Sequence, residues 1–322
     1  MSQIIALLQA AVVFGTVIMF GSLGEIITEK SGNLNLGVPG IMYLGGIAGL
    51  AGSFWYETNY YANPVMGVII AVTCSILASL LGGFIFSFLT ITLRANQNVT
   101  GLTLTIFGAG VANFFGGAMN SMAGGVGQIS VSITSGAFRA TLPFLSEING
   151  LSAFGFMVYL AIILALVMSY FLNKTRNGLN LRAVGENPST ADAGGIDVIK
   201  YKYLATCAGA AVTGLGGLYY VMDYIKGTWA NDGGIAKLGW LAVALVIFAR
   251  WKPKQAIWGS YLFGILFWLY FYIGGLTRSS QELFKMLPYL VTIVVLIVMS
   301  MRKEHENQPP KNLGMSYFRE ER

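Results

Sequence analysis

Apolar runs of about twenty residues, the length that crosses the hydrocarbon core of a bilayer as a helix, recur along this chain with short polar interruptions between them. Nine such runs are expected as membrane-crossing helices, at roughly 4–24, 36–56, 65–93, 99–120, 151–172, 201–222, 237–250, 254–273 and 284–301. The length of the chain allows about eight to ten. The expected fold class is all-α, a polytopic membrane domain over residues 1–301 followed by a hydrophilic tail at 302–322. The first run lacks a basic leader, and "GEIITEKSGN" after it is no small-residue cleavage site, so it reads as a retained span.

Two stretches break the pattern. Residues 99–127 carry eight glycines together with Asn113 and Asn120, which argues for an interior segment, either one broken span or a re-entrant pair. Residues 31–46, "SGNLNLGVPGIMYLGG", put Asn33, Asn35 and Pro39 at the start of the second span. Broken helix at that depth is tolerated only where the freed backbone meets protein or water. Both stretches point to a polar pathway.

Composition agrees with lipid as the solvent: of 322 residues, 55% are hydrophobic and 11% charged, against roughly 25% charged in soluble domains. The net charge of +6 does not imply nucleic acid, because the basic residues sit at the ends of apolar runs. Lys174, Arg176, Arg182, Lys200 and Lys202 fall in one connection, Arg250, Lys252 and Lys254 in another, and Arg302 and Lys303 open the tail. Lys and Arg concentrate in cytoplasmic loops. Counting back places Lys30 and Arg94 inside, the N-terminus outside and the C-terminus in the cytoplasm, while Lys226, Lys237, Arg278 and Lys285 run against the rule. Trp55, Tyr56, Tyr60 and Tyr61 are then an outward-facing interfacial belt.

Catalytic chemistry has little to work with. The single histidine, His305, is in the tail, and Cys74 and Cys207 lie inside apolar runs as small core residues. No Ser-His or Cys-His pair can be built in the membrane, and no GxxxxGK[ST] is present. If ATP drives this protein, ATP and Mg bind to another subunit, and no cofactor is expected on this chain. Glu25, Glu29, Glu57 and Asp223 lie at span ends or in loops, whereas ion-coupled carriers place ionisable groups near the midplane. An ion-coupled secondary transporter or channel remains the rival from another class.

The connection at 173–200 contains "NLRAVGENPSTADAGGID" at 180–197. It has no GxGxxG and no preceding strand, so it is not a dinucleotide loop. Asn187 can cap a helix, Pro188 suits its first position, and Gly194 and Gly195 can stop it. Asp192 lies in the early turns, compatible with the positive end of the helix dipole. Ala191 and its small neighbours allow the helix to lie in a partner's cleft, with Arg182 and Glu186 at its edge. The alternative is a solvated loop with no partner.

Two segments carry a family resemblance. "GEIITEKSGNLNLGVPGIMYLGG" at 24–46, with Glu29, Gly32, Asn35, Gly37 and Gly40 in place, resembles the motif near the first spans of ABC-importer permeases of the branched-chain amino acid and monosaccharide class. "LRAVGENPSTADAGGIDVIKYKYLATCAGAAVTGLGGLYY" at 181–220 resembles the same permeases' cytoplasmic coupling loop and following span, with Arg182, Gly185, Glu186, Asn187, Pro188, Ala191, Ala193, Gly195 and Ile196 matching. Residues 242–264 give a weaker third match, and Val38–Pro39 stand where relatives commonly carry Leu-Glu. The short chain looks most like the smaller permease of nucleoside importers. The resemblance implies a non-catalytic subunit, a second and longer permease, cytoplasmic ABC ATPases coupled through 182–197, and an extracellular substrate-binding lipoprotein. A sugar or a branched-chain amino acid is the alternative cargo.

Nucleosides are neutral and amphipathic, so their route should offer amides and stacking faces rather than fixed charges. Asn33, Asn35, Asn113, Phe114 and Asn120 meet that description, although buried asparagines also bridge helices.

Overall fold

The computed structural model describes residues 2–61, 63–122, 129–140, 154–273, 277–302 and 308–318. Among them every regular element is helical: α1 (Ser2–Lys30), α2 (Val38–Asn59), α3 (Pro64–Ser87), α4 (Gln97–Met122), α5 (Ser132–Arg139), α6 (Phe156–Lys174), α7 (Arg176–Glu186), α8 (Pro188–Ala193), α9 (Val198–Tyr219), α10 (Gly234–Phe248), α11 (Pro253–Tyr272), α12 (Arg278–Lys285) and α13 (Leu287–Arg302). Single π-helical turns extend α3 over Phe88–Thr92 and α9 over Tyr220–Tyr224.

Among the described residues six helices are long and apolar enough to cross a membrane: Gln3–Lys30, Val38–Asn59, Pro64–Thr92, Gln97–Met122, Phe156–Lys174 and Val198–Tyr224. A seventh is added if Ser279–Lys285 and Leu287–Val298, bent by 41°, form one span. This is fewer than the nine expected, and the shortfall has three causes. Gly234–Phe248 has 15 residues, less than a full crossing. Pro253–Tyr272 has the length, but among its apolar residues Trp258, Tyr261, Trp268, Tyr270 and Tyr272 carry polar atoms that lower its hydropathy. The last apolar run is broken ahead of Pro288, which lacks an N–H and crowds the preceding turn.

The bundle is organised on α9, which packs against α1, α2 and α3. Its sequence "GAAVTGLGG" at 209–217 lets backbones approach where lipid offers no hydrophobic force to press helices together. A Cβ on Gly45 of α2 would stand 2.6 Å from Gly214 Cα, and one on Gly217 would run into the Met42 carbonyl group. Gly24 of α1 meets Gly209 and Thr213 in the same way. Ser75 Oγ of α3 donates to Gly214 O at 3.2 Å. On the far side of α2, Gly40 and Gly108 bring α4 into contact.

α4 is one continuous helix, not the broken or re-entrant segment expected at 99–127; residues 123–128 lie outside the described residues. Gly101, Gly108 and Gly116 face packed neighbours, so most of its glycines serve contact rather than flexibility, whereas Gly110 and Gly117 face open space.

The ends of several elements gather on one face. Lys30, Arg182, Lys252 and Lys254 line a common groove of about 400 Å³, and residues 311–318 lie against Gly32, Glu186, Asp192 and Arg94. Trp55, Tyr56 and Tyr60 pack together at the other end of α2, with Trp55 and Tyr60 exposed.

Replacing Gly217 by Val forces a side chain into the α2 backbone, and overpacking of this kind costs about 1–3 kcal/mol. Thermal unfolding in detergent should show a lower midpoint for Gly217→Val and no change for Gly110→Val, where a Cβ meets nothing within 4 Å. Equal midpoints would remove α9 from the centre of the packing.

Candidate functional site

Between α1 and α2 the chain leaves helical geometry at residues 31–37, and it does so in the interior. Ser31, Asn33 and Asn35 are buried, so each freed backbone group needs a partner inside the protein. Leu34 N donates to Gln97 Oε1 at 2.6 Å, Asn35 N to Glu25 Oε1 at 2.9 Å, and Gly37 N to Asn35 Oδ1 at 2.9 Å. Thr105 Oγ1 of α4 donates to Leu36 O at 3.1 Å. Asn33 Nδ2 donates to Thr206 Oγ1 of α9 at 2.9 Å, while its Oδ1 is buried with no partner. The loop is therefore stitched to α1, α4 and α9 together.

Glu25, which holds Asn35 N, is followed one turn later by a second acidic side chain, Glu29. Glu25 and Glu29 are both buried within α1; Glu29 was expected in a loop, but the helix continues past it to Lys30. The Trp251 indole N–H donates to Glu29 Oε2. Trp251 reaches that place because Arg250 and Trp251 both adopt left-handed backbone, φ 53° each, in the tight turn between α10 and α11. No motif in the sequence announces a contact between residues 29 and 251. The only available signal was a tryptophan inside a basic turn.

Beside this loop lies the segment expected to face a partner. Residues 173–200 are mostly helical rather than an open loop. Thr175 caps α7, accepting from Gly178 N at 3.1 Å. Asn187 then caps α8 through Oδ1, accepting from Thr190 N at 3.0 Å, with Pro188 at its first position. Gly194 is the C-cap, and Gly195 follows at φ +81°. Pro188 and Ala191 face inward, whereas Glu186, Asn187, Ser189, Thr190, Ala193, Gly194 and Gly195 are exposed and Asp192 is half-buried. Gly185 is buried, and a Cβ there would collide with the Lys30 carbonyl oxygen, so it joins α7 to the end of α1. Arg182 turns away from α8, its Nε buried without a partner beside Lys30 and Lys252.

The sequence-picked pathway residues separate into two places. Asn33 and Asn35 belong to the buried loop, whereas Asn113 and Phe114 are exposed on α4, Phe114 at 72%. Asn120 is half-buried, and its Oδ1 accepts from Ile129 N at 2.8 Å. The structure does not bring these five together within the single chain. Among the described residues no group of three His, Cys, Asp or Glu is placed to hold a metal.

This is a multi-pass helical membrane protein whose inner loop and short capped helix share one face. A family described as "Branched-chain amino acid transport system / permease component" matches residues 7–296, and the chain belongs to it. A protein of Haloferax volcanii, provisionally named a glucose ABC transporter permease, is 32% identical over 99% of both chains. A nucleoside ABC transporter permease of Lactococcus lactis is 31% identical over 88% of this chain and 89% of its own. A guanosine ABC transporter permease of Bacillus subtilis is 28% identical over 99% of both. No solved structure matches the chain. The resemblance read from residues 24–46 and 181–220 thus holds for the family, and the protein is a multi-pass component of the cell membrane.

Trp251→Phe removes the indole donor and leaves the buried Glu29 carboxyl short of a partner, a loss of about 1–3 kcal/mol. The detergent-solubilised protein should melt earlier, and adding Glu29→Leu should recover part of the loss, because the orphaned polar group is then gone. Strict additivity of the two substitutions would mean that the contact contributes nothing.

Proposed function

We propose that this chain is one of two permease subunits of an ATP-driven importer for nucleosides, non-identical to its partner permease and coupled to separate ATPases through residues 182–197. The observation that carries the reading is α8: a six-residue helix, too short to persist alone in water, anchored by Pro188 and Ala191 while its small and polar outer face stays open. Such a helix suits a cleft in another protein. The groove of about 330 Å³ beside it, lined by Glu186, Asn187, Pro188, Ser189 and Lys311, offers the partner polar edges. ATP and Mg belong to that partner, and an extracellular lipoprotein delivers the solute.

Nucleosides are favoured by the names of two of the relatives. An amide beside an aromatic ring, Asn113 and Phe114 on the exposed side of α4, is suitable chemistry for a base and ribose at a surface shared with the second permease. A sugar is the second reading, favoured by the Haloferax volcanii relative. For topology we infer nine crossings with the N-terminus outside, α11 and the bent α12–α13 pair each completing one and the short α10 completing another together with the residues that flank it. Support comes from the turn of α10 into α11 reaching Glu29 at the basic face, which the positive-inside tendency assigns to the cytoplasm.

The deciding experiment is uptake competition by the assembled importer with nucleosides, bases, pentoses, glucose and branched-chain amino acids. Nucleosides should compete; competition by glucose alone would transfer the reading to sugars. Asn113→Ala should alter uptake with the ATPase still bound. Glu186→Ala and Gly195→Val should each lower uptake and solute-stimulated ATP hydrolysis without reducing membrane insertion. Normal coupling in both would reject the 182–197 segment as the connection.

A further inference from the structure

The segment 308–318 is hydrophilic, yet it lies in place against four different parts of the protein. Asn312 N donates to Gly185 O at 3.1 Å, at the end of α7, and Gly314 N donates to Gly32 O at 3.1 Å, in the buried loop. Both Gly314 (φ +79°) and Gly32 (φ +87°) use left-handed backbone to make that approach. Lys311 N donates to Glu186 Oε2 at 3.4 Å. Further on, Tyr317 OH donates to Asp192 Oδ2 of α8 at 2.8 Å, and the Tyr317 ring packs on Val184, Ala191 and Val198. Gln97 Nε2 donates to Met315 O at 3.4 Å. The Arg94 guanidinium stands 4.5 Å from the centre of the Phe318 ring.

These contacts share a logic. α8 buries only Pro188 and Ala191, a small base for an element that must not shift under load. Tyr317 is part of that base, covering the apolar trio and holding Asp192 at the side of the helix. Earlier in the chain, Lys311 and Asn312 grip the end of α7, and Gly314 grips the loop ahead of α2. One short strand of backbone therefore ties α8, α7, the 31–37 loop and the α3–α4 turn together.

We propose that residues 311–318 form a fixed strap that seats α8 on the 31–37 loop, with Tyr317 as its positioning residue, so that displacement of α8 is passed to the start of α2 rather than lost in a loose helix. This rests on the reading that α8 is where the ATPase docks. The strap is a permanent part of the coupling face, not a removable cover.

The test uses the complete importer in proteoliposomes, with Tyr317→Ala, Tyr317→Phe and a chain ending after residue 307. Backbone amide exchange over 187–196 should rise in all three, by about fivefold in Tyr317→Phe, the factor that one lost hydrogen bond is worth. Solute taken up per ATP hydrolysed should fall in Tyr317→Ala and in the shortened chain; a general loss of folded protein would lower both rates and leave that ratio unchanged. Unchanged exchange in Tyr317→Ala, an unchanged ratio in the shortened chain, or higher uptake without the segment would each overturn the strap. Ser189→Cys separates the underlying reading. Cross-linking to the ATPase in the otherwise native importer supports docking at α8, and no cross-link alongside raised exchange in Tyr317→Ala overturns the docking and the force transfer while leaving Tyr317's seating of α8 established.

Discussion

Close approach of helix backbones around α9 is the constraint on which the remaining structure depends. In lipid, apolar side chains gain little by leaving one apolar neighbour for another, so helices associate where small residues allow extensive contact. Gly209, Gly214, Gly216 and Gly217 supply that contact to α1, α2 and α3 from successive positions on one helix. Because α9 starts at Val198, directly after α8 and its glycine stop, the exposed short helix is joined without slack to the most closely packed element of the bundle.

At the basic face the problem is different. There the chain must turn sharply between α1 and α2 while still buried, and side chains rather than solvent satisfy the turn. Glu25, Gln97, Asn35 and Thr105 each take one backbone group of the 34–37 stretch, and Thr206 of α9 holds Asn33. Trp251 closes the arrangement from the α10–α11 turn by holding Glu29. The loop is thus defined by polar contacts as specific as those of a soluble protein's core, although most of the chain around it is apolar.

Hydrophobic runs made the long helices legible because their lengths matched the bilayer, and Asn187, Pro188 and Gly194 made α8 legible because capping chemistry is local. Features that depend on distant partners were not readable. α4 looked broken because its glycines suggest flexibility in isolation, but Gly101, Gly108 and Gly116 are spaced for packing on the Leu36–Gly37 backbone, on α2 and on Trp229. α7 was hidden in a polar connection whose helix is fixed by Thr175 and by the fit of Gly178 against Phe171. Glu29 and Trp251 are 222 residues apart, and the tail reads as solvated until Gly314 and Tyr317 find Gly32 and Asp192. Asn33 and Asn113 carry the same side chain, yet one ties the buried loop to α9 and the other faces outward, a distinction that burial alone decides.

The bond between Gly314 N and Gly32 O also sets an order of assembly. Residue 32 is synthesised after the first helix, but its partner emerges only when every intervening helix has been made and inserted. During translation the loop ahead of α2 therefore waits with one carbonyl and its neighbouring glycine uncovered, and the face that carries α8 is unfinished until the strap arrives. A chain cut short by a premature stop after the last apolar run would lack both the cover over Gly32 and the hold of Tyr317 on Asp192, so the face that carries α8 records whether the last residues of the chain have been made.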